Sequence, residues 1–308
     1  MARAWPAAIG PHRLQPKPGD SMNNTRGGQS GSSRISRLIQ ALFAWTLLAV
    51  SALNAQDPRD IVRRSVERDW TDFASVQDYT YQERNEFREY AKDGKLSSTR
   101  SETHEILILR QRPYERLIAR DGRPLSAREE GKEQEKLDRE ATRRERESPA
   151  QRAKYERDLA EERQFIREVP DAFTFRLKGA EAVSGQPAWI IDAEPQPGYR
   201  PATSDAKMFS KLRATIWIEQ ATYHWVKVEA QALAPLVFGF GLLRVAPGGT
   251  LNFEQTRVND EIWLPSRILI RADARLALIK KVRAEFDIRY SGYRKFQSDS
   301  RILTDREN

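Results

Sequence analysis

The sequence predicts an α+β protein built on a strongly curved antiparallel sheet, an incomplete β-barrel, with an N-terminal amphipathic helix and a charged helical insertion. Apolar and polar residues alternate with a period of two in many segments between residues 79 and 290. Turn residues separate these segments at short intervals, and helical periodicity is confined to residues 57–73 and 127–168. Consecutive strands with so little helix between them favour one antiparallel sheet over a parallel α/β fold.

The first element of this fold is an amphipathic helix. Asp57 provides an N-cap and Pro58 fits the first helical position. Val62, Trp70 and Phe73 then recur at helical spacing, so one stripe of the helix packs on a core.

The early strands form a long hairpin followed by a third strand. Residues 79–90 and 96–110 alternate, and Asp93-Gly94 between them supplies the positive φ of a tight turn. Residues 114–119 continue the sheet. The later strands are predicted at residues 173–177, 188–193, 213–219, 223–233, 250–258, 266–274 and 280–290.

The last of these strands gives the clearest pattern. Val282, Ala284, Phe286, Ile288 and Tyr290 alternate strictly with charged residues, so the strand has one dry and one solvated face.

Residues 127–168 interrupt the strands with 13 acidic and 12 basic residues among 42. Opposite charges recur three and four positions apart, for example Glu129 with Lys132 and Glu135 with Arg139, which favours solvated helix over core. We expect a protruding pair of helices inserted between strands, and a partner-binding arm is the alternative.

The start of the chain has the order of a secretory signal. Arg34 and Arg37 precede an apolar run over residues 38–50, and cleavage is expected after Ala55. With translation starting at Met22, residues 22–55 are the signal and residues 1–21 a non-native or disordered extension. An uncleaved anchor is the alternative. Residues 56–297 are then a single half-barrel domain of a periplasmic or secreted protein, followed by a tail over 298–308.

Composition excludes several classes of function. The chain has no cysteine, which removes thiolate metal sites, disulfides and cysteine nucleophiles. The net charge of +8 includes +5 from residues 1–55, and the remaining basic residues alternate with acids, which is not typical of a nucleic-acid surface. His104 and His224 lie in strand-like segments without a metal or catalytic pattern. We therefore predict a protein without enzymatic activity, metal or cofactor.

An apolar connector over residues 235–243 has no periodicity and contains two glycines. Such a segment fills the core, covers a lipid-sized pocket as a mobile flap, or touches a membrane or partner.

Several short motifs resemble a known family. They are residues 214–219 (ATIWIE), 223–229 (YHWVKVE), 262–266 (IWLPS) and 290–296 (YSGYRKF). Together with the export signal they resemble the periplasmic lipoprotein carriers of the outer-membrane lipoprotein-sorting superfamily. The resemblance implies an incomplete antiparallel barrel whose helices plug the concave side and leave an apolar cavity for acyl chains.

The leading hypothesis is an exported, non-enzymatic protein of the cell envelope that binds a lipid or the acyl chains of a lipoprotein and contacts the membrane transiently at most. The alternative is an envelope sensor or interaction module that docks a protein partner through the charged helices. The first hypothesis predicts a cavity wall that includes Trp217 and Trp225. It also predicts a cavity mouth formed by Leu236, Val237, Phe238, Phe240, Leu242 and Leu243.

Overall fold

A computed structural model describes residues 57–110, 112–238, 243–276 and 280–296. Within these ranges thirteen strands form one antiparallel sheet that is accompanied by four α-helices. The predicted extension over residues 1–21, the signal over 22–55 with its cleavage point, and the tail over 298–308 lie outside the described residues.

The helices and strands follow the sequence pattern closely. The helices are α1 (Pro58–Val76), α2 (Ala127–Glu145), α3 (Pro149–Arg163) and α4 (Val169–Ala172), with 3₁₀ turns at Gln164–Glu168 and Asp205–Lys211. The strands are β1 (Tyr79–Tyr90), β2 (Leu96–Leu109), β3 (Arg112–Arg120), β4 (Arg123–Pro124), β5 (Phe173–Val183), β6 (Gln186–Pro195), β7 (Leu212–Glu219), β8 (Trp225–Ala232), β9 (Leu236–Phe238), β10 (Leu243–Val245), β11 (Thr250–Val258), β12 (Ile262–Leu276) and β13 (Lys280–Lys295).

The sheet is open. Its strand order is β4-β3-β2-β1-β13-β12-β11-β8-β7-β6-β5, and the short hairpin β9–β10 is attached to β12. The antiparallel α+β architecture is confirmed, but the expected strong curvature is not found, since the sheet is neither closed nor strongly curled. The physical reason is that helices, rather than closure of the sheet, cover its apolar side chains.

The pairing register defines two faces. One row of paired positions crosses six strands and contains only apolar residues, namely Ile191, Ile216, Val228, Phe253, Ile268 and Ile288. Ile61 and Val62 of α1 are buried in one cluster with Ile191 and Ile216. We call the face under α1 the inner face and the opposite face the outer face.

The outer face of the central strands carries charged residues in place of a second apolar layer. Asp287 on β13, with only 1% of its side chain exposed, accepts hydrogen bonds from Arg267 on β12 and from Arg289. Glu285 accepts from Arg271 and Arg88 on the two neighbouring strands. The strict alternation in the sequence of β13 therefore separates an apolar face from a charged one.

Strands β12 and β13 are longer than the sequence predicts. Strand β12 begins at Ile262 rather than at residue 266, and it passes through Pro265. The register between β11 and β12 shifts between Glu254 and Gln255, next to Pro265, and such irregularities are where a strand tolerates the missing N–H of proline. Among the described residues, none of the helices is long and apolar enough to cross a membrane.

Replacing Asp287 with Asn should destabilise the sheet in a pH-dependent way. Burial acts to raise the pKa of Asp287, but the hydrogen bonds from Arg267 and Arg289 outweigh it and lower the pKa to about 2. A lowered pKa contributes stability above the unfolded-state pKa, here about 2 kcal/mol, and this contribution is lost as the pH falls toward 2. Urea unfolding should show the wild type and Asp287→Asn differing by about this amount at pH 7 and converging between pH 4 and 2.

The matched control is Asp273→Asn, because Asp273 pairs with Arg283 at a site where both side chains are more than half exposed. We expect it to change the free energy of unfolding by less than about 1 kcal/mol. An equal loss in the two variants would contradict the role assigned to Asp287.

Candidate functional site

The central strands present apolar side chains on the inner face that are not fully covered. Phe87, Phe286, Ile270 and Leu251 are register partners on β1, β13, β12 and β11. All but Leu251 are half-buried, and Leu251 is 36% exposed. Together with the neighbouring row they form the inner apolar surface, which we define as Phe87, Leu251, Phe253, Ile268, Ile270, Phe286 and Ile288.

Helices flank this surface on two sides. Helix α1 contacts β5, β7 and β12, whereas α2 contacts β3 near the other end of the strand order. Leu117 of β3 and Leu125 are buried and line a small cleft together with Glu133 of α2. The inner apolar surface therefore lies between two helical covers.

A buried carboxylate holds α1 in place. Asp69 of α1 accepts a hydrogen bond from the indole of Trp225 (3.0 Å) and pairs with Arg163 at the end of α3 (2.6 Å). Burial raises the pKa of Asp69 against the opposing effect of Arg163. The Arg163 guanidinium also lies 3.3 Å from the ring centroid of Phe73. One carboxylate thus joins α1, α3 and the sheet.

The second contact between α1 and the sheet is made by His224. Its Nε2 lies 2.7 Å from Asp72 of α1 and its Nδ1 lies 2.7 Å from the Thr222 hydroxyl. The carboxylate of Glu219 accepts from the backbone N–H groups of Ala221 and Thr222, which fixes the β7–β8 turn. His224 is buried, in agreement with its interpretation as a structural residue.

The charged insertion does not protrude freely, contrary to the expectation from its composition. Arg144 of α2 donates to three backbone carbonyls of the β2–β3 turn, those of Leu109, Arg112 and Pro113, at 2.9–3.0 Å. Arg112 also pairs with Glu147. At the other end Leu159 of α3 packs on Phe73. Composition alone cannot show that the insertion is attached in this way, because the charged residues that anchor it are of the same types as those that face solvent.

The predicted mouth residues lie in a hairpin that extends the sheet. Leu236 is buried and Val237 is 53% exposed, while Phe238 of β9 and Leu243 of β10 are register partners. Strand β10 pairs with β12 at residues 274–276, a few positions beyond Ile270. The predicted mouth residues Phe240 and Leu242 lie outside the described residues.

The two predicted wall residues lie on opposite faces. Trp225 pairs with Ile218 and stacks on Phe253 at 5.8 Å between ring centroids, so it belongs to the inner face. Trp217 is buried on the outer face with Trp263, near a groove of about 400 Å³ that is lined by both polar and apolar residues. A bulge between Trp217 and Ile218 in the β7–β8 pairing makes alternation along β8 a poor guide here.

Sequence reasoning missed the inner apolar surface itself. Its members come from four strands that are up to 200 residues apart, and only the register brings them together. It also missed a polar border to this surface, where Glu83 is half-buried and accepts from Asn85 at 2.8 Å. Burial raises the pKa of Glu83. Among the described residues, no group of three His, Asp or Glu side chains is placed to hold a metal ion.

Comparison with solved structures finds several chains to which this one is similar. The chain is similar to a putative outer membrane lipoprotein-sorting protein domain from Vibrio parahaemolyticus, with 13% identity, a TM-score of 0.36 and coverage of 80% of this chain and 94% of that one. It is also similar to a LolA superfamily protein from Nitrosomonas europaea, with 12% identity, a TM-score of 0.29 and coverage of 79% and 94%. The resemblance predicted from the sequence is thus found in the structure as well.

A third likeness is to the complex of MucA and MucB from Pseudomonas aeruginosa, with 12% identity, a TM-score of 0.22 and coverage of 79% of this chain and all of that one. No family model matches the sequence, and no curated protein matches it. With identities of 12–13% and TM-scores below 0.5, these matches are similarities from which nothing further is concluded.

Replacing Asp69 with Asn should loosen the helical cover. The substitution removes the Asp69 carboxylate from its buried ion pair with Arg163, and breaking a buried ion pair from one side costs about 3–5 kcal/mol. Guanidinium unfolding followed by tryptophan fluorescence measures this. The control Asp158→Asn removes an exposed pair with Lys154 and should cost less than about 1 kcal/mol. Equal costs would show that Asp69 does not anchor α1.

Proposed function

We propose that this protein takes up a lipid, or the acyl chains of a lipoprotein, on the inner apolar surface between α1 and α2. The observation that carries the proposal is the half-covered row of Phe87, Phe286, Ile270 and Leu251. In a protein whose mean hydropathy is −0.71, a contiguous apolar row that its own helices leave partly open is suited to an apolar ligand.

The physical chemistry of such binding needs no catalytic group. Each methylene moved from water into an apolar site contributes about 0.8 kcal/mol, so a chain lying across several strands gains several kcal/mol. The side chains available are aliphatic or aromatic and adapt to a flexible chain. The polar border at Glu83 provides a place where a ligand's polar end stays hydrated. This is carriage or sensing of a lipid rather than enzymatic chemistry.

The apolar hairpin is the entrance in this proposal. Its strand β10 pairs with β12, the strand that contributes Ile268 and Ile270, and its buried residue Leu236 is the register partner of Val245 on β10. Trp225 on the inner face is a wall residue beside Phe253. Trp217 faces the opposite side and is not part of this site.

The alternative function, docking of a protein partner through the charged helices, has less support. Many charges of α2 and α3 are used in ion pairs, such as Arg143 with Glu140 and Glu147, and both ends of the insertion are anchored. The leader predicted for residues 22–55 is consistent with either function in the periplasm.

The test is native mass spectrometry of the protein purified from a bacterial envelope, followed by organic extraction. We expect a co-purifying lipid or acylated peptide, or uptake of an added fluorescent fatty acid. A clean mass that also takes up no fatty acid would refute the proposal and favour the interaction module.

Leu251→Asp places a charge on the most exposed member of the apolar row. We expect fatty-acid affinity to fall at least about tenfold, because a carboxylate among apolar side chains must be desolvated when the chain binds. The control Thr250→Asp makes the same change on the adjacent position of β11, which projects to the other face of the sheet. Equal affinity in the two variants would place the ligand elsewhere.

Replacing both Phe238 and Phe240 with Asp tests the entrance. We expect uptake of the fatty acid to be lost while the free energy of unfolding changes little. Circular dichroism and urea unfolding serve as the controls for folding. Unchanged uptake would remove the hairpin from the site and leave the inner apolar surface as the sole binding element.

A further inference from the structure

The polar border of the inner apolar surface contains a cluster of hydrogen-bond acceptors. Glu83 on β1 is the register partner of Tyr290 on β13 and of His104 on β2, so these three side chains lie side by side across the sheet. Asn85 is the next residue of β1 on the same face, and it is the register partner of Ile288. The cluster therefore adjoins the inner apolar surface directly.

The contacts of Asn85 and His104 define which of their atoms accept. Asn85 donates its Nδ2 to Glu83 at 2.8 Å, which directs its Oδ1 away from that carboxylate. This Oδ1 and the Nδ1 of His104 are buried and have no hydrogen-bond partner among the described residues. The Nε2 of His104 lies 3.8 Å from the carboxylate of Glu102, which assigns the ring N–H to Nε2 and leaves Nδ1 as the acceptor.

Carboxylates set the charge of the cluster. Burial raises the pKa of Glu83, and the nearby carboxylate of Glu115 on β3 acts in the same direction. Burial also raises the pKa of Tyr81 and of Tyr290, and the same two carboxylates add to this effect. The contributions of the carboxylates mean that a further negative charge is disfavoured here and a positive one is favoured.

The arginines of this face do not offset the charge of Glu83. Arg100 and Arg120 are on the same face as the register partners of Phe87 and Glu102. Arg120 pairs with Glu102, whereas the Arg100 guanidinium lies over the Phe87 ring, 5.2 Å from its centroid. Within the part of the chain that the structure describes, no Lys or Arg forms an ion pair with Glu83.

Tyrosine rings border the cluster on the side away from Phe87. Tyr81 lies two positions before Glu83 on β1, and its ring centroid is 5.9 Å from that of Tyr290 and 5.1 Å from that of Tyr293. The face of a tyrosine ring attracts a cation. Acceptors, a carboxylate and aromatic rings are thus brought together at one end of an apolar surface.

From this arrangement we infer that the lipid held on the inner apolar surface carries a primary ammonium group as its polar end. Glu83, Asn85 and His104 bind this group, and we call these three residues the amine site. A primary ammonium has three N–H donors and no acceptor, which matches three acceptors on neighbouring positions. Its charge offsets that of Glu83, whereas a carboxylate or phosphate in the same place would meet Glu83 and Glu115 as like charges.

The amine site rests on the proposed function, because it narrows the ligand from any acyl chain to one that carries an amine. The two can nevertheless fail separately. Apolar chains that bind equally well with any polar end would keep the inner apolar surface as a lipid site and overturn the amine site. Failure of every such chain to bind would overturn both.

The experiment is isothermal titration calorimetry of the full protein, freed of co-purified lipid, with dodecylamine and its N-methyl, N,N-dimethyl and N,N,N-trimethyl forms below their micelle concentrations. This series keeps the chain and the positive charge and removes the N–H donors one at a time. We expect the trimethyl form to bind at least about tenfold more weakly than dodecylamine, because it has no hydrogen bond to donate. Equal affinity across the series would overturn the inference.

Two further probes define the polar end more closely. Dodecanoate has a chain of the same length and a negative charge, and we expect it to bind more weakly than dodecylamine. Lysophosphatidylethanolamine and lysophosphatidylcholine with one acyl chain then distinguish two sources of the amine. Tighter binding of the former identifies an ethanolamine phospholipid, and equal binding of the two, with dodecylamine still preferred, identifies an amine without a neighbouring phosphate.

Glu83→Gln is the variant that tests the amine site, because it removes the charge and keeps an oxygen that accepts from Asn85. We expect the affinity for dodecylamine to fall about tenfold while that for dodecanoate does not fall. A merely structural defect would weaken the binding of both. The series on the wild-type protein needs no variant, so the inference is tested even where Glu83→Gln does not fold.

The matched control is Glu105→Gln, which makes the same change next to His104 on β2. Glu105 projects to the other face of the sheet, where it pairs with Arg116 at 2.8 Å. We expect this variant to keep the wild-type preference for dodecylamine over dodecanoate. An equal loss of preference in the two variants would show a general charge effect and overturn the amine site.

Discussion

The register of the central strands is the constraint on which the rest of this structure depends. Because side chains alternate along a strand, a slip of one residue between β12 and β13 would turn Phe286 and Ile288 to the side of the arginines. The pairing of Arg267 and Arg289 with the buried Asp287 opposes such a slip, since a displaced carboxylate would lose its hydrogen bonds. The same contacts thus fix both the apolar inner face and the charged outer face.

The helices are attached to this sheet by a few polar contacts that require a defined geometry. Asp69 and His224 lie where α1 meets β7 and β8, and Arg144 seats α2 on the β2–β3 turn. A buried polar contact is satisfied in one geometry, whereas apolar contacts tolerate sliding. The helical covers are therefore held at defined positions on either side of the inner apolar surface, which keeps that surface from being closed by collapse of the helices onto it.

Local patterns predicted most of the strands, because each was bounded by turn residues and alternated cleanly. They could not predict the curvature of the sheet or the anchoring of the insertion. They also could not predict which residues from distant strands come together in the inner apolar surface. Curvature depends on packing between elements, and the anchoring role of Arg144 has no local signature among so many other arginines. The apolar connector was recognised from composition, but its hairpin geometry and its pairing with β12 depend on register. The placement of Trp217 and Trp225 also depends on register, because a bulge in the β7–β8 pairing puts the two side chains on opposite faces of the sheet.

The hairpin β9–β10 presents apolar residues on both faces of the sheet. Its buried residue Leu236 and its exposed residue Val237 are adjacent in the chain, and adjacent strand residues project to opposite faces. Val237 is the register partner of Arg244 on β10, so the exposed apolar residue of the hairpin lies beside an exposed arginine. The buried and the exposed apolar residues of this one hairpin thus connect the inner face of the sheet with its charged outer face at the end of β12.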